Sequence, residues 1–128
     1  NNVSVYEGVE LEDYVFCGPS MVFTNIKTPR SEFPQRGSHF YSKTLVKKSA
    51  SIGANATIIC GVTIGRYALI GSGSVVTKDI PDFALVVGNP GKVIGWVDKK
   101  GNRLKFRDSG LSLCKSYSLK NNKVELIR

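Results

Sequence analysis

The 128-residue chain has 41% hydrophobic and 22% charged residues, which suits one small globular domain and is not typical of a disordered protein. Its net charge of +8 is concentrated in residues 92–128, which carry ten Lys or Arg against three Asp or Glu. Such a basic segment is either a solvated surface or a surface that attracts polyanions. Polar residues interrupt every apolar stretch and no signal peptide opens the chain, so we expect a cytoplasmic protein without a membrane partner.

The three cysteines, Cys17, Cys60 and Cys114, show neither a CxxC spacing nor an even count. A disulfide framework and a cysteine-based metal site are therefore not expected. We interpret the three residues as buried or reduced thiols.

A six-residue repeat runs through most of the first 80 residues. Its large apolar positions are Val5, Leu11, Cys17 and Phe23 in a first run, and Ile52, Ile58, Ile64, Ile70 and Val76 in a second. In the second run the residue two positions before each large one is mostly small. These residues are Ala50, Ala56, Val62, Ala68 and Ser74. Alternate residues of a strand point to one side, so both positions of each repeat would face a narrow interior.

This repeat predicts an all-β solenoid of short strands separated by turns, in which three strands complete one coil. A β-sandwich with coincidental spacing is the alternative, and five consecutive matches in one register disfavour it. Gly53, Gly65 and Gly71 each follow a large apolar residue, and we expect them at corners that need unusual φ and ψ angles. The repeats make little more than three coils and are already running at Asn1, so we expect further N-terminal coils to be missing.

The repeat is interrupted by a polar segment that contains proline, which predicts a loop over residues 24–43 within the solenoid of residues 1–80. Loops that leave a regular scaffold often carry binding residues, and this one holds Asn25, Arg30, Arg36 and His39. Beyond residue 80 the apolar run and the Gly88–Gly91 turn predict a cap over residues 81–97. Weak alternation in residues 98–128 predicts a basic, hairpin-like appendix in the same domain.

The segments CGPSMVFTN, with its following Pro-Arg loop, and GANATIICGVTIGRYA resemble the hexapeptide-repeat acyltransferases. The chain is most similar to UDP-2-acetamido-3-amino-2,3-dideoxyglucuronate N-acetyltransferases and related enzymes acting on nucleotide-linked 3-amino sugars. The resemblance covers nearly all of residues 1 to 97 and implies a left-handed parallel β-helix and a homotrimer with active sites between subunits. It also implies a role in surface polysaccharide (lipopolysaccharide) synthesis.

The resemblance implies N-acetyl transfer from acetyl-CoA, with Asn25 as the active-site residue of the FTN segment. An amine needs only a free lone pair, so a dedicated base is not required. Arg30 and Arg36 are candidates for a sugar carboxylate or pyrophosphate, because guanidinium groups bind such anions with two hydrogen bonds. Glu7, at a predicted corner, is a further candidate for the sugar.

The predicted acetyl-CoA site combines backbone N–H groups at tight corners with nearby lysines. Its members are Gly61, Gly71, Ser72, Gly73, Lys78, Asn89, Pro90 and Lys92. For any single glycine a purely structural role at a corner is the favoured interpretation. Lys92 stands where relatives have arginine, which removes a bidentate contact to phosphate.

Several alternatives remain open from the sequence. One histidine cannot supply the three ligands of a γ-type carbonic anhydrase, so that class is set aside and no metal is expected. An O-acetyltransferase would need a base to activate a hydroxyl, and His39 lies between Ser38 and Phe40 in what looks like an ordinary loop. A truncated, non-catalytic trimeric scaffold is the third reading. Few aromatic residues accompany the basic ones in residues 92–128, which disfavours a nucleic-acid partner.

Overall fold

The computed structural model describes residues 1–127, apart from the side chain of Ser38. The described residues form thirteen short strands and one 3-10 helix, Ser38–Phe40. The strands are β1 (Val9–Leu11), β2 (Phe16–Cys17), β3 (Val22–Phe23), β4 (Thr44–Val46), β5 (Ser51–Ile52), β6 (Thr57–Ile58), β7 (Thr63–Ile64), β8 (Leu69–Ile70), β9 (Val75–Val76), β10 (Ala84–Val87), β11 (Lys92–Trp96), β12 (Tyr117–Lys120) and β13 (Lys123–Leu126). In this part of the chain no helix has the length and apolar character needed to cross a membrane.

The strands β1 to β9 visit three sheets in turn. The first face contains β1, β4 and β7, the second contains β2, β5, β8, β10 and β11, and the third contains β3, β6 and β9. Every pairing among β1 to β9 is parallel, and partners such as Ile52 and Ile70, or Thr57 and Val75, are 18 residues apart. The all-β, parallel solenoid predicted from the six-residue repeat is therefore confirmed.

The interior of the solenoid is filled by the large positions of the second run of repeats. Ile52, Ile58, Ile64, Ile70 and Val76 are all fully buried, and the small positions Ala50, Ala56 and Ala68 are buried beside them. Each aliphatic side chain removed from water contributes roughly 1.5–3 kcal/mol, so this column accounts for much of the stability of the fold. In the first run Val5 is 52% exposed, because no strand among the described residues pairs with the outer side of the first coil.

The prediction that Gly53, Gly65 and Gly71 occupy corners with unusual dihedral angles is wrong. None of them has a positive φ. Gly53 lies instead where a Cβ atom would come within 2.6 Å of the backbone nitrogen of Ser72 in the next coil, so the residue is glycine because two coils approach closely.

Three rows of turns connect the faces, and most of them use a residue of positive φ. The first corner joins the first and second faces at Tyr14, Ser49, Tyr67 and Phe83; the second corner joins the second and third faces at Ser20, Asn55 and Gly73; the third corner joins the third and first faces at Gly8 and Gly61. Left-handed backbone is uncommon for bulky residues such as tyrosine and phenylalanine, which is why the sequence did not indicate these positions.

Carboxylate side chains replace carbonyl oxygens as hydrogen-bond acceptors where strands end. Glu12 accepts the Lys48 N–H at 2.9 Å, and Asp79 accepts the Thr63 N–H at 2.8 Å. Asp82 accepts the backbone N–H of Arg66 at 2.7 Å and pairs with its guanidinium at 2.9 Å. These contacts satisfy backbone donors that the strand ladders leave free.

Residues 24–43 contain no strand and lie at the third corner. Strand β4 pairs with β1 across 35 residues, from Glu10 to Leu45, but with β7 across 18 residues, from Leu45 to Thr63. The Ser42 N–H donates to the Asn25 carbonyl at 2.9 Å, which closes the base of this segment. The segment therefore leaves the coil and rejoins it in register.

Parallel strand pairing continues beyond residue 80, where the repeat predicts that the solenoid ends. Ile80 forms a parallel bridge with Ile64, and β10 pairs in parallel with β8 before β11 turns back antiparallel to β10. The segment predicted as a cap, residues 81–97, thus contributes two strands, β10 and β11, to the second face of the solenoid.

The basic C-terminal segment packs against the first corner. It contains the antiparallel hairpin β12–β13, and Tyr117 and Val124 of this hairpin form a second buried cluster with Phe83. The Phe83 ring stacks on Tyr67 at 5.2 Å and meets the edge of Tyr117 at 5.4 Å. The Tyr117 hydroxyl also accepts the backbone N–H of Lys99 at 3.0 Å. An aromatic cluster of this kind attaches the segment to the solenoid.

The three cysteines are free and differ in environment. Partial burial raises the pKa of the Cys17 thiol. Cys114 is exposed, and its pKa is lowered chiefly by the hydrogen bond with the Ser112 hydroxyl, whose oxygen lies 3.3 Å from the sulfur.

One buried hydroxyl generates a stability prediction. Ser74 is fully buried in the column of small residues and its hydroxyl has no hydrogen-bond partner within the described residues. Because an unsatisfied buried hydroxyl costs about 1–3 kcal/mol, Ser74→Ala should raise the free energy of unfolding by about 1 kcal/mol in urea denaturation. Ser112→Ala is the matched control: this hydroxyl is equally buried but accepts the Tyr117 N–H at 3.0 Å, so its removal should destabilise the protein. Equal losses in both variants would contradict the prediction.

The cysteines generate a second prediction, on reactivity. A lowered pKa gives more thiolate at a given pH, so alkylation of Cys114 by iodoacetamide should begin at a lower pH than alkylation of Cys17. Peptide mass spectrometry across a pH series measures both sites in one sample. The Ser112→Ala variant should move the Cys114 profile to higher pH, and an unchanged profile would contradict the assigned cause.

Candidate functional site

The third corner brings together the residues that the sequence singled out for chemistry. Asn25 follows β3, two residues after the buried Phe23. Its backbone carbonyl accepts the Ser42 N–H at the base of the loop. Ser42 Cβ lies 3.7 Å from the point that a Cβ on Gly61 would occupy. Asn25, Ser42 and Gly61 therefore share one short stretch of surface. The Asn25 side chain is partly buried and makes no hydrogen bond within the part of the chain that the structure describes.

Two threonine hydroxyls hold this corner in place. The Thr24 hydroxyl accepts the Cys60 N–H at 2.9 Å, and the Thr44 hydroxyl accepts the Gly61 N–H at 3.1 Å. Gly61 has a φ of +92°, which a residue with a side chain rarely adopts. Its backbone N–H, predicted as a donor to the thioester, is already bound to Thr44, so it is not free to donate to a ligand.

Sequence reasoning missed Lys27. Its side chain folds back from the loop across the corner, with Cε 3.1 Å and Nζ 3.5 Å from the position of a Cβ on Gly61. No repeat or motif marks this residue, because its placement depends on how the loop folds. The ammonium group is the cation that this structure places directly over Gly61.

Glu7 lies at the same corner in the preceding coil and is exposed. The neighbouring Gly8 carbonyl accepts the Thr44 N–H at 2.8 Å, and a Cβ on Gly8 would lie 3.5 Å from Tyr41 Cβ. The structure thus places Glu7 beside the returning end of the loop, near the corner that contains Asn25.

Arg30, Arg36 and His39 lie further along the loop and are all exposed. The Arg30 guanidinium contacts only the adjacent Pro29 carbonyl, at 3.4 Å, among its described hydrogen bonds. The His39 ring packs on Phe40 with centroids 4.2 Å apart. Among the described residues, no hydrogen bond joins any of these three side chains to Asn25.

The predicted cofactor residues divide between two corners. Lys78 follows β9 and reaches the third corner, where Gly61 also lies. The others lie at or beside the second corner: Gly71, Ser72, Gly73, Asn89, Pro90 and Lys92. The Gly88–Gly91 turn, which contains the cis Asn89–Pro90 bond, packs under this corner because Val75 bonds to both Gly88 and Gly91.

The third face separates these two groups. From Gly73 to Lys78 the chain crosses this face along β9, a distance of roughly 16 Å at about 3.3 Å per residue. Val22, Thr57 and Val75 form the outward row of the face, and Val22 is 46% exposed. A ligand that touched both groups would cross this row.

A separate cavity of about 350 Å³ lies between the first face and strand β13. Its lining includes Lys47, Asp79, Lys123 and Glu125, but none of the predicted site residues. Among the described residues there is no group of three or more His, Cys, Asp or Glu side chains that could hold a metal ion.

Comparison with known proteins shows which proteins have a similar repeat. Residues 43–78 match the family model of the bacterial transferase hexapeptide (six repeats). A dTDP-3-amino-3,6-dideoxy-α-D-galactopyranose 3-N-acetyltransferase of Aneurinibacillus thermoaerophilus is 54% identical over 69 residues, covering 54% of this chain and 36% of that protein. A galactoside O-acetyltransferase of Lactococcus lactis is 34% identical over 79 residues, covering 61% of this chain and 38% of that protein. The chain spans little more than a third of the length of these relatives.

Solved structures agree with the fold. A variant of perosamine N-acetyltransferase from Caulobacter crescentus, in complex with CoA and GDP-perosamine, is 30% identical with a TM-score of 0.53, covering 69% of this chain and 34% of that one. A galactoside acetyltransferase in complex with coenzyme A is 27% identical with a TM-score of 0.60, covering 78% and 50% of the two chains. With its parallel 18-residue coils and the match of residues 43–78 to the repeat model, the chain is similar to the hexapeptide-repeat transferases.

Proposed function

We propose that this protein transfers the acetyl group of acetyl-CoA to the amino group of a nucleotide-linked 3-amino sugar. The observation that carries the proposal is the 54% identity, over 69 residues, to an enzyme named as a dTDP-3-amino-sugar 3-N-acetyltransferase. The third corner supports it, because a side-chain amide, a cation and the base of a polar loop meet there.

The reaction needs few groups from the protein. The lone pair of a neutral sugar amine attacks the carbonyl carbon of the thioester, and a C–N bond forms as the carbonyl oxygen becomes negative. The C–S bond then breaks, the CoA thiolate leaves, and one amine proton is transferred to the sulfur. The products are the N-acetylated sugar and CoA with a free thiol. What the protein must supply is position and hydrogen bonds to developing charge.

Asn25 is the residue we assign to that task. Its amide can donate to the carbonyl oxygen or accept from the amine, and its backbone is fixed by the bond from Ser42. Glu7, at the same corner, would contact the sugar, while Arg30 and Arg36 would need the loop to bring them to a phosphate or carboxylate.

Acetyl-CoA would lie along the third face. The outward row of Val22, Thr57 and Val75 offers an apolar and hydroxyl surface between the two groups of predicted cofactor residues. Lys78 and Lys92 are exposed and would meet the phosphates. No metal enters this scheme.

The finer architecture belongs to the same proposal. We infer a left-handed helix and a homotrimer in which the open surface at the third corner meets a neighbouring subunit, with residues 24–43 as the projecting loop and residues 81–97 closing the end of the solenoid. Support comes from the family and from the exposure of the candidate residues on the single chain. A role in surface polysaccharide (lipopolysaccharide) synthesis would follow from the substrate, and the cytoplasmic location stays a prediction.

An O-acetyltransferase is the second candidate, favoured by the match to a galactoside O-acetyltransferase. It would require a base near the acceptor hydroxyl. The contact found for the His39 ring is with Phe40, which gives no support to His39 as that base.

The test is acetyl-CoA turnover by the purified chain with a panel of dTDP- and UDP-linked 3-amino sugars, each matched to the corresponding 3-hydroxy sugar. Thiol release with gain of one acetyl group on an amino sugar, and none on its hydroxy partner, is the expected result. Acetylation of the hydroxy sugars would favour the O-acetyltransferase. No turnover with any acceptor by a folded protein would overturn the proposal and leave a scaffold.

Asn25 provides a specific prediction within this scheme. Asn25→Ala should lower kcat by about 100-fold, the usual effect of removing one hydrogen-bond donor to a developing oxyanion. Asn102→Ala, an exposed asparagine in the C-terminal segment, is the matched control and should keep full turnover. Steady-state kinetics at saturating acceptor measure both, and an active Asn25→Ala variant would remove the residue from the mechanism.

A further inference from the structure

Lys27 is a charged group at the candidate site that the proposed mechanism does not yet use. Its side chain leaves the loop two residues after Asn25 and lies across Gly61, with Nζ 3.5 Å from the position of a Cβ on that glycine. The absence of a Gly61 side chain is what allows the lysine to lie there. An alanine would meet Cε at 3.1 Å, a distance that forces one of the two to shift.

The Lys27 ammonium is not neutralised by a contact. Within residues 1–127 the one ion pair found joins Arg66 and Asp82, at the first corner, and no hydrogen bond of the Lys27 ammonium is found either. Other charged or titratable residues belong to the same corner by their position in the coils. They are Glu7 in the preceding coil, Tyr41 and Lys43 at the end of the loop, the buried thiol of Cys60, and Lys78 and Asp79 in the following coil.

Two carboxylates belong to this corner among the described residues: Asp79 accepts the Thr63 N–H, and Glu7 is assigned to the sugar. The hydroxyls of Thr24 and Thr44 already accept backbone N–H groups, and Asn25 has no basic atom. Cys60 is 2% exposed, so its thiol lies behind the surface. In the proposed scheme none of these groups takes the proton, so the amine releases it to water before it attacks.

We propose that the Lys27 ammonium lowers the pKa of the sugar amine bound at the third corner, and so keeps it in the nucleophilic form near neutral pH. A positive charge disfavours protonation of a neighbouring amine, because two like charges repel each other. Solvent at this exposed corner reduces the effect. This role rests on the proposed function. In it Lys27 acts through its positive charge on the sugar amine and does not carry the proton itself.

The experiment is the pH profile of kcat with acetyl-CoA and the 3-amino sugar both saturating, because kcat reports the pKa of the bound state. Lys27→Met keeps the length of the side chain and removes its charge. Its acidic limb should move to higher pH by about one unit, with equal rates at high pH where the amine is neutral in both proteins. Lys27→Arg should restore the wild-type profile, since its charge is retained.

Two controls make the result specific. Lys120→Met removes an exposed lysine from β12, away from the third corner, and should leave the profile unchanged. Raising the ionic strength should move the wild-type limb towards that of Lys27→Met, because salt screens exposed charges.

The outcomes separate the two proposals. A limb that does not move in Lys27→Met, or moves equally in Lys120→Met, overturns the role of Lys27 while leaving the N-acetyltransferase standing. A uniform loss of rate at every pH, not restored in Lys27→Arg, means that the residue acts through structure and also overturns the role. Absence of turnover by the wild-type protein with every amino sugar overturns the proposed function and the role of Lys27 with it.

Discussion

Hydrogen bonding between successive coils is the constraint on which the rest of the structure depends. Residues 18 positions apart pair in parallel, such as Ile52 with Ile70. The bonds of these ladders include those from the Gly53 N–H to the Ile70 carbonyl and from the Thr57 N–H to the Ser74 carbonyl, both at 2.8 Å. The spacing between coils is fixed by these bonds, so the interior has room for one large and one small residue per strand. The same spacing between coils leaves no room for a side chain at position 53, which is therefore glycine. It also places equivalent turns of successive coils above one another, so that each corner is a row of turns.

The sequence predicted the parts of the fold that follow from local periodicity. The six-residue repeat located the interior positions of the second run, because alternation along a strand decides which side chains point inward. It misjudged Gly53, since a close approach between coils and a left-handed turn both select glycine, and only the paired structure distinguishes them. Contacts between residues far apart in sequence were out of reach for the same reason. The packing of Phe83 against Tyr117 is one such long-range contact, and no local sequence pattern predicts it.

The candidate site shows the same division. Asn25 was identified through resemblance to a family, and the structure adds where it lies: at the junction of the third face with the loop, opposite Gly61. Lys27 belongs to an irregular segment, so neither periodicity nor motif could place its ammonium. The predicted cofactor residues fell into two groups because a linear sequence does not show which corner each turn joins. The position of a residue within the six-residue repeat predicts whether its side chain is buried. Which corner of the solenoid a turn belongs to depends instead on which of the three faces the neighbouring strands occupy.

The closed base of the loop has a consequence for how such proteins diversify. Residues 24–43 leave and re-enter the solenoid at points joined by the bond between Ser42 and Asn25, and the following strand β4 resumes the register of the stack. A segment held at one narrow neck can lengthen, shorten or be exchanged without altering the packing of Ile58 or Ile64 beneath it, because the entropy of closing a loop grows only slowly with its length. The length and sequence of residues 24–43 can therefore change with little effect on the stability of the solenoid.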